Sequence, residues 1–310
     1  MKIETQPILT INNLSIIYEN GYGITDINLE FQPGDFVALV GSNGAGKSTL
    51  MNGISGIQKI SKGTISFHDN YINKSNPFSI LGFSPQNQVI DWYLNVIDNV
   101  LLGPLLAGIG RKQSKQMALE ALRQVNLENK NSSSVDQLSG GQQQRVQIAR
   151  AIAHKPTFYL LDEPTTGLDA ESAEIFLQYL NSRVNESTCS VLISSHDLNL
   201  LEKYCNKMIY IEEGKIIFHG SISEFLNNNN QVNKYVIEYQ GILDTTTLDK
   251  IIALGAEILS TKPLTLTINQ ELSISNIISI LEKTTQIINI KNERNSLRET
   301  YLKLKATKEC

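Results

Sequence analysis

The chain has 310 residues, of which 41% are hydrophobic and 19% charged, and its formal net charge is −4. That length accommodates one large domain and a small one with ample core. The mildly acidic balance excludes the global basic field that would argue for a nucleic-acid partner. Cys189, Cys205 and Cys310 are scattered without metal-ligand spacing and read as reduced thiols of a cytosolic protein. The start MKIETQPILT carries no signal pattern. The longest apolar stretch, Val100 to Ile109, is broken by Gly103, Pro104 and Gly108 and is too short to span a bilayer.

In chain order, Ile8 to Tyr18 and Ile27 to Phe31 alternate as strands, the second ending at the turn Pro33-Gly34. Phe36 to Val40 is an apolar strand that runs into Gly41-Ser42-Asn43-Gly44-Ala45-Gly46-Lys47-Ser48-Thr49, and a helix is expected to begin near Lys47. Gly63 to His68 and Ile80 to Ser84 read as strands, and about Asn95 to Val125 as helix with Met117, Leu119, Leu122 and Val125 on one face. Val146, Ala149, Ile152 and Ala153 mark a helix face after Gly140-Gly141. Phe158 to Leu161 is wholly apolar, as buried parallel strands are. A helix from Ala170 to about Arg183, a strand Cys189 to Ile193, a helix from Leu198 and a hairpin turned at Glu213-Gly214 follow.

After Phe225 the polar run Asn227 to Asn230 suggests a linker over 227–233. Strand Val236 to Tyr239, helix Thr247 to Leu254, one or two strands within Glu257 to Ile268, helix Ile274 to Leu281, strand Gln286 to Ile290 and helix Ser296 to Lys305 then give a βαββαβ-like order. The expected organisation is a nucleotide-binding domain over 1–226 and a small α+β, ferredoxin-like domain over 234–310.

The segment Gly41 to Thr49 fits the G-x-x-x-x-G-K-[ST] phosphate loop. Its glycines let backbone N–H groups close on an anion, and the following helix adds the partial positive charge of its N-terminus. Lys47 is expected at the β- and γ-phosphates and Ser48 on Mg²⁺. Asp162, at the end of an apolar strand, suits the Mg²⁺ shell, and Glu163 suits the orientation or deprotonation of an attacking water. Leu138-Ser139-Gly140-Gly141-Gln142-Gln143-Gln144-Arg145 offers another glycine-rich helix start, with N–H groups and Ser139 Oγ available to an anion.

This last segment, behind the phosphate loop and ahead of Asp162, resembles the signature of ATP-binding cassette proteins, and the resemblance covers roughly residues 5 to 225. It implies an α/β cassette made of a β-subdomain, a parallel-sheet core and a helical subdomain at about 87–155. Tyr18 resembles the aromatic residue stacked on adenine, and Gln86 the glutamine that contacts Mg²⁺ and faces the membrane partner, with Gln88 as a close alternative. Gly167-Leu168-Asp169 resembles the D-loop and Ser194-Ser195-His196-Asp197 the switch histidine, whereas His68, His154 and His219 read as structural. By resemblance, Glu163, His196, Lys47 and Gln86 are catalytic and Ser48, Gln86 and Asp162 hold the metal. ATP would contact Tyr18, Gly41 to Thr49, Ser139, Gly140, Gly141, Gln142 and Asp169, in a head-to-tail dimer.

The family further implies an ATPase peripheral to the cytoplasmic face of a membrane, acting through separate permease chains, with no nucleic-acid partner. The close Asn295-Ser296-Leu297-Arg298-Glu299-Thr300-Tyr301-Leu302-Lys303-Leu304 resembles that of drug- and lipid-exporter ATPases, which makes export the leading expectation. Gln88-Val89-Ile90-Asp91-Trp92-Tyr93 resembles metal-ion importers and makes import the alternative, although Trp92 equally suits a surface anchor for a partner helix.

Overall fold

A computed structural model describes residues 6–71, 76, 79–229, 232–269, 272–293 and 296–308. Residues 1–5, Asn230, Asn295 and Cys310, on which some of the expectations above rest, lie outside the described residues. The chain forms two compact units, Met1–Ile222 and Ser223–Cys310.

The first unit opens with β1 (Leu9–Ile17) and β2 (Gly23–Phe31), followed by β3 (Phe36–Val40), α1 (Lys47–Ile54) and β4 (Lys62–Phe67). Strands β1, β2 and β4 make an antiparallel sheet of order β2-β1-β4. Along β2 the residues Ile24, Ile27, Leu29 and Phe31 are buried, whereas β1 changes phase at a bulge where Asn13 takes a φ of 47°. Next come β5 (Leu81–Ser84), α2 (Val96–Leu106), α3 (Arg111–Gln124) and α4 (Gly140–Ile152). The unit continues with β6 (Phe158–Leu161), α5 (Ala170–Asn185), β7 (Ser190–Ser194), α6 (Leu198–Tyr204), β8 (Lys207–Glu212) and β9 (Lys215–Ser221).

The second sheet has the order β5-β6-β7-β3-β8-β9 and is parallel apart from the last strand. Strands β3, β6 and β7 are buried along their whole length, as in a sheet covered on both faces; β3 and β6 are wholly apolar, and β7 sets Val191, Leu192 and Ile193 between two buried serines. Leu50, Met51 and Ile54 of α1 join Ile16, Ile24 and Phe31 of the first sheet and Leu39, Phe158 and Ile209 of the second in one core. Phe31 and Phe158 meet edge to face there, with ring centroids 5.1 Å apart.

Two expectations are corrected, one in this unit and one at its boundary with the next. The helix expected from Asn95 to Val125 is two helices, because Gly108 turns the chain at a φ of 81° and Gly110 caps α3. Accordingly the buried face of α3 is Ser114, Ala118, Ala121 and Leu122, with Met117 and Leu119 only half-buried. The run expected as a linker is also partly helical: α7 (Ile222–Asn229) includes Asn227 to Asn229. Phe225 on that helix is buried, and Asn229 Nδ2 donates to Phe225 O at 2.8 Å, so the asparagines form its last turn.

The second unit contains β10 (Val232–Gly241), α8 (Thr245–Ala253), β11 (Glu257–Thr261), β12 (Leu264–Asn269), α9 (Ile274–Leu281), β13 (Thr285–Glu293) and α10 (Leu297–Lys308). Its antiparallel sheet has the order β11-β12-β10-β13, the ferredoxin-like arrangement of a βαββαβ chain. Ile251 of α8 and Ile277 and Leu281 of α9 pack on Ile237, Leu264, Leu266 and Ile268 of the sheet. Among the described residues no helix of the protein is long and apolar enough to cross a membrane.

Candidate active site

Parallel pairing places the carboxyl ends of β3, β5, β6 and β7 on one edge of the second sheet, where α/β proteins bind ligands. The phosphate loop follows β3, Gln86 follows β5, Asp162 and Glu163 follow β6, and His196 follows β7. One cleft is lined by Asn43, Gly44, Gly46, Lys47, Ser48, Thr49, Gln86, Asp162, Glu163 and His196. Residues distant in sequence therefore share a site through strand order alone.

Gly46 has a φ of 109°, and a Cβ there would stand 2.6 Å from Ile24 Cγ2, so only glycine fits at the entry to α1. Lys47 Nζ donates to Gly41 O (2.9 Å) and Ser42 O (3.0 Å). Burial lowers its pKa from 10.5, opposed by the charges of Glu163, Asp162 and Glu212. Glu212 holds the loop from behind: its carboxylate accepts a hydrogen bond from Ser42 Oγ and another from Tyr210 Oη. Tyr18 Oη lies 3.4 Å from Thr49 Oγ1, which places the tyrosine beside the cleft.

Asp162 is 4% exposed and Glu163 5%. Both are positioned by Ser194 at the end of β7, whose Oγ donates to Asp162 Oδ1 (2.6 Å) and accepts from Glu163 N (2.8 Å). Glu163 adopts a φ of 52°, a left-handed conformation that costs a non-glycine residue roughly 1 kcal/mol or more. Its Oε1 is 3.3 Å from His196 Nε2 and is otherwise a buried oxygen without a hydrogen-bond partner. Burial, then the Asp162 charge, push the Glu163 carboxyl above its ordinary 4.5, against the pull of His196 and Lys47. A carboxylate with a raised pKa at a cleft wall is suited to accept a proton near neutral pH.

The structure separates the two glutamines: Gln86 lines the cleft, whereas Gln88 Nε2 donates to Gly140 O at 2.9 Å. The signature residues Ser139 to Gln142 are not part of the cleft wall. Ser139 Oγ, expected to face an anion, accepts from Gln142 N (3.3 Å), and Ser139 N donates to Gln142 Oε1 (3.1 Å). This reciprocal capping box satisfies the first turn of α4 and leaves Gly140 and Gly141 as the N–H groups outside it.

Asp169 also lies off the cleft: it caps α5 by accepting from Ser172 N (2.8 Å) and Ser172 Oγ (2.9 Å). A Cβ on Gly141 would stand 2.3 Å from Gly167 O, so the segments at Gly141 and Gly167 touch backbone to backbone. Gly41, Ser42 and Ala45 support the loop from outside the wall. Elsewhere, burial lowers the pKa of His154 to about 4 and raises that of the Cys189 thiol to about 11. Cys189 and Cys205 are buried free thiols. Sequence reasoning did not single out Ser194 or Glu212 for their own hydrogen bonds, because neither signals its partner until the strands are ordered.

Residues 24–166 match the family model described as ABC transporter. The chain is 35% identical over 231 residues to the phosphonates import ATP-binding protein of Staphylococcus epidermidis, covering 70% of this chain and 90% of that protein. It is 33% identical over 225 residues to the manganese transport system ATP-binding protein of Halalkalibacterium halodurans, covering 70% and 88%. Among solved structures, the dimeric structure of a bacterial ABC transporter cassette, MJ0796, aligns with a TM-score of 0.62 at 28% identity, covering 69% of this chain and 98% of that one. The two sequence relatives are named for phosphonate import and manganese transport, which supports the alternative expectation of import better than the leading expectation of export drawn from the C-terminal close. The chain belongs to the ABC transporter family as an ATP-binding and ATP-hydrolysing subunit that powers a transporter.

Proposed function

We propose that this subunit drives an importer, acting from the cytoplasmic face of a membrane through separate permease chains and paired head to tail with a second cassette. The observation that carries this reading is the 35% identity to a phosphonates import ATP-binding protein over 90% of that protein's length. The dimeric state of the MJ0796 cassette supports the pairing.

In this reading the phosphate loop and Lys47 hold the triphosphate, and Tyr18 stacks on the base. Ser48, Gln86 and Asp162 hold Mg²⁺. The donor set fits that ion, because Mg²⁺ takes one or two carboxylates together with substrate phosphates rather than a protein cage. Held there, Mg²⁺ would supply positive charge that offsets the charge of the triphosphate. Glu163 takes a proton from water as its oxygen bonds to the γ-phosphorus and the bond to the ADP oxygen breaks, while Lys47 and His196 offset the charge that develops. Ser139 to Gln142 and Asp169, which lie off this chain's own cleft, complete the site of the opposite copy.

The test is recovery of tagged Glu163→Gln protein with ATP from native membranes, read by mass spectrometry. A co-purifying permease together with an extracytoplasmic binding protein is the expected result. A six-span permease without a binding protein would restore export, and ribosomes without any membrane protein would overturn transport.

A further inference from the structure

Gln147 lies on α4 and is 1% exposed. Its neighbours Val146, Ile148 and Ala149 are apolar, as expected for a helix packed against other elements. A buried amide among them must satisfy its polar atoms, and Gln147 does so on a single short segment. Oε1 accepts from Val89 N at 2.6 Å, and Nε2 donates to Pro85 O at 2.7 Å and Ser84 Oγ at 3.3 Å. A backbone N–H can only donate and a carbonyl can only accept, so the chemistry fixes the orientation of the amide.

Gln86 lies between these two clamped points, outside any helix or strand. Upstream, Ser84 O accepts from Asp162 N at 2.9 Å, which ties the segment to the carboxylate strand. Two further bonds join the same segment to α4, from Gln88 Nε2 to Gly140 O and from Arg150 Nη2 to Val89 O. Neither of those reaches Pro85, so Gln147 is the side chain that spans the segment on both sides of Gln86.

Resting on the reading of Gln86 as a metal-facing group, we propose that Gln147 is its positioning residue, the buried amide whose bonds to Pro85 and Val89 hold Gln86 at the cleft. Removal of these bonds frees the segment to move by an ångström or more, which for a misplaced active-site group costs on the order of tenfold or more in rate.

The experiment uses the full-length chain with Gln147→Leu, Gln147→Glu, Gln86→Ala and the Gln86→Ala/Gln147→Leu double variant. The measurements are ATPase rate against Mg²⁺ concentration, fluorescent ATP-analogue binding in chelator, and amide hydrogen exchange at Val89. Gln147→Leu should raise the half-activating Mg²⁺ concentration roughly tenfold and speed exchange at Val89, with analogue binding in chelator unchanged. The double variant should be no worse than Gln86→Ala.

Gln147→Glu adds a pH readout. As a carboxylate it can accept from Val89 N but opposes Pro85 O, whereas the protonated acid can donate again. Burial raises a carboxyl pKa, so the activity of Gln147→Glu relative to wild type should climb as pH falls. Wild-type Mg²⁺ dependence in Gln147→Leu, unchanged exchange at Val89, a flat relative pH profile in Gln147→Glu, or additive losses in the double variant would each overturn the proposal for Gln147. An unmoved Mg²⁺ dependence in Gln86→Ala would instead overturn the reading of Gln86 and the proposal that rests on it.

Discussion

Replacing Ser194 by alanine removes one hydroxyl and disturbs both carboxylate positions. Ser194 is fully buried, and its Oγ makes the 2.6 Å bond to Asp162 Oδ1 and the 2.8 Å bond from Glu163 N. A hydrogen bond to a charged carboxylate contributes about 1.5–3 kcal/mol, and a buried N–H left without its acceptor costs about 1–3 kcal/mol. The space left by one oxygen is at the lower limit of what a water needs, so solvent cannot readily repair the loss. The two effects share one atom and do not add in full, which gives an expected destabilisation of about 3 kcal/mol. For a unit of this size, 1 kcal/mol moves the melting temperature by about 2–4 °C, so Ser194→Ala should melt roughly 6–12 °C below wild type.

Calorimetry of the full chain measures the shift, with Ser182→Ala as the control, since Ser182 Oγ bonds only Tyr179 O at an exposed helix position. That control should stay within about 0.5 kcal/mol of wild type. Turnover in Ser194→Ala should fall by about tenfold or more, because the Glu163 backbone holds its left-handed conformation against Ser194. A melting shift no larger than that of Ser182→Ala, with normal turnover, would refute the assignment of Ser194 as the anchor of both carboxylates.

Glu163→Gln should retain ATP binding, lose about 10²-fold or more in hydrolysis and accumulate as a dimer with ATP on a sizing column; near-normal turnover would sink the base assignment. The same variant carries a stability prediction whose sign follows from the raised pKa of Glu163 in the fold. A raised carboxyl pKa makes the folded state hold its proton more tightly, so stability is lost as pH rises from about the ordinary 4.5 through the folded value. Glu163→Gln should therefore melt above wild type at neutral pH, and the gap should close at pH values below 4.5; a gap independent of pH would refute this. In wild type the acid limb of the pH–rate profile should lie above the ordinary 4.5 of a glutamate, and the lowered Lys47 pKa should bring the alkaline limb below 10.5. Gly46→Ala should weaken ATP-analogue binding at least tenfold, about 1.4 kcal/mol, because the new Cβ meets Ile24 at 2.6 Å. Gly110→Ala, which meets nothing within 4 Å, should bind normally.

The phosphate loop was legible from sequence because a strand, a left-handed turn and a helix start are local, and Gly46, Lys47 and Ser48 encode that geometry within a few residues. The same holds for Asp162 and Glu163 at the end of an apolar strand, and helix Ile274–Leu281 forms over the residues expected for it. Other features were settled by bonds between distant segments. Phe225 is buried on α7 and the asparagines after it continue that helix, although their composition favours a linker. The sequence favours Gln86 with Gln88 as a close alternative, and the packing of α4 gives Gln88 to Gly140 and leaves Gln86 at the cleft. Ser139 can serve an anion or its own helix, and only the structure shows that within this chain the reach of Gln142 joins it to the helix. Local backbone preference and apolar periodicity are written in neighbouring residues, so sequence alone determined the elements and the motifs at their ends. The partners of a buried polar group depend on which strands lie side by side, and only the order β5-β6-β7-β3 could assign Ser194 to Asp162 and Glu163.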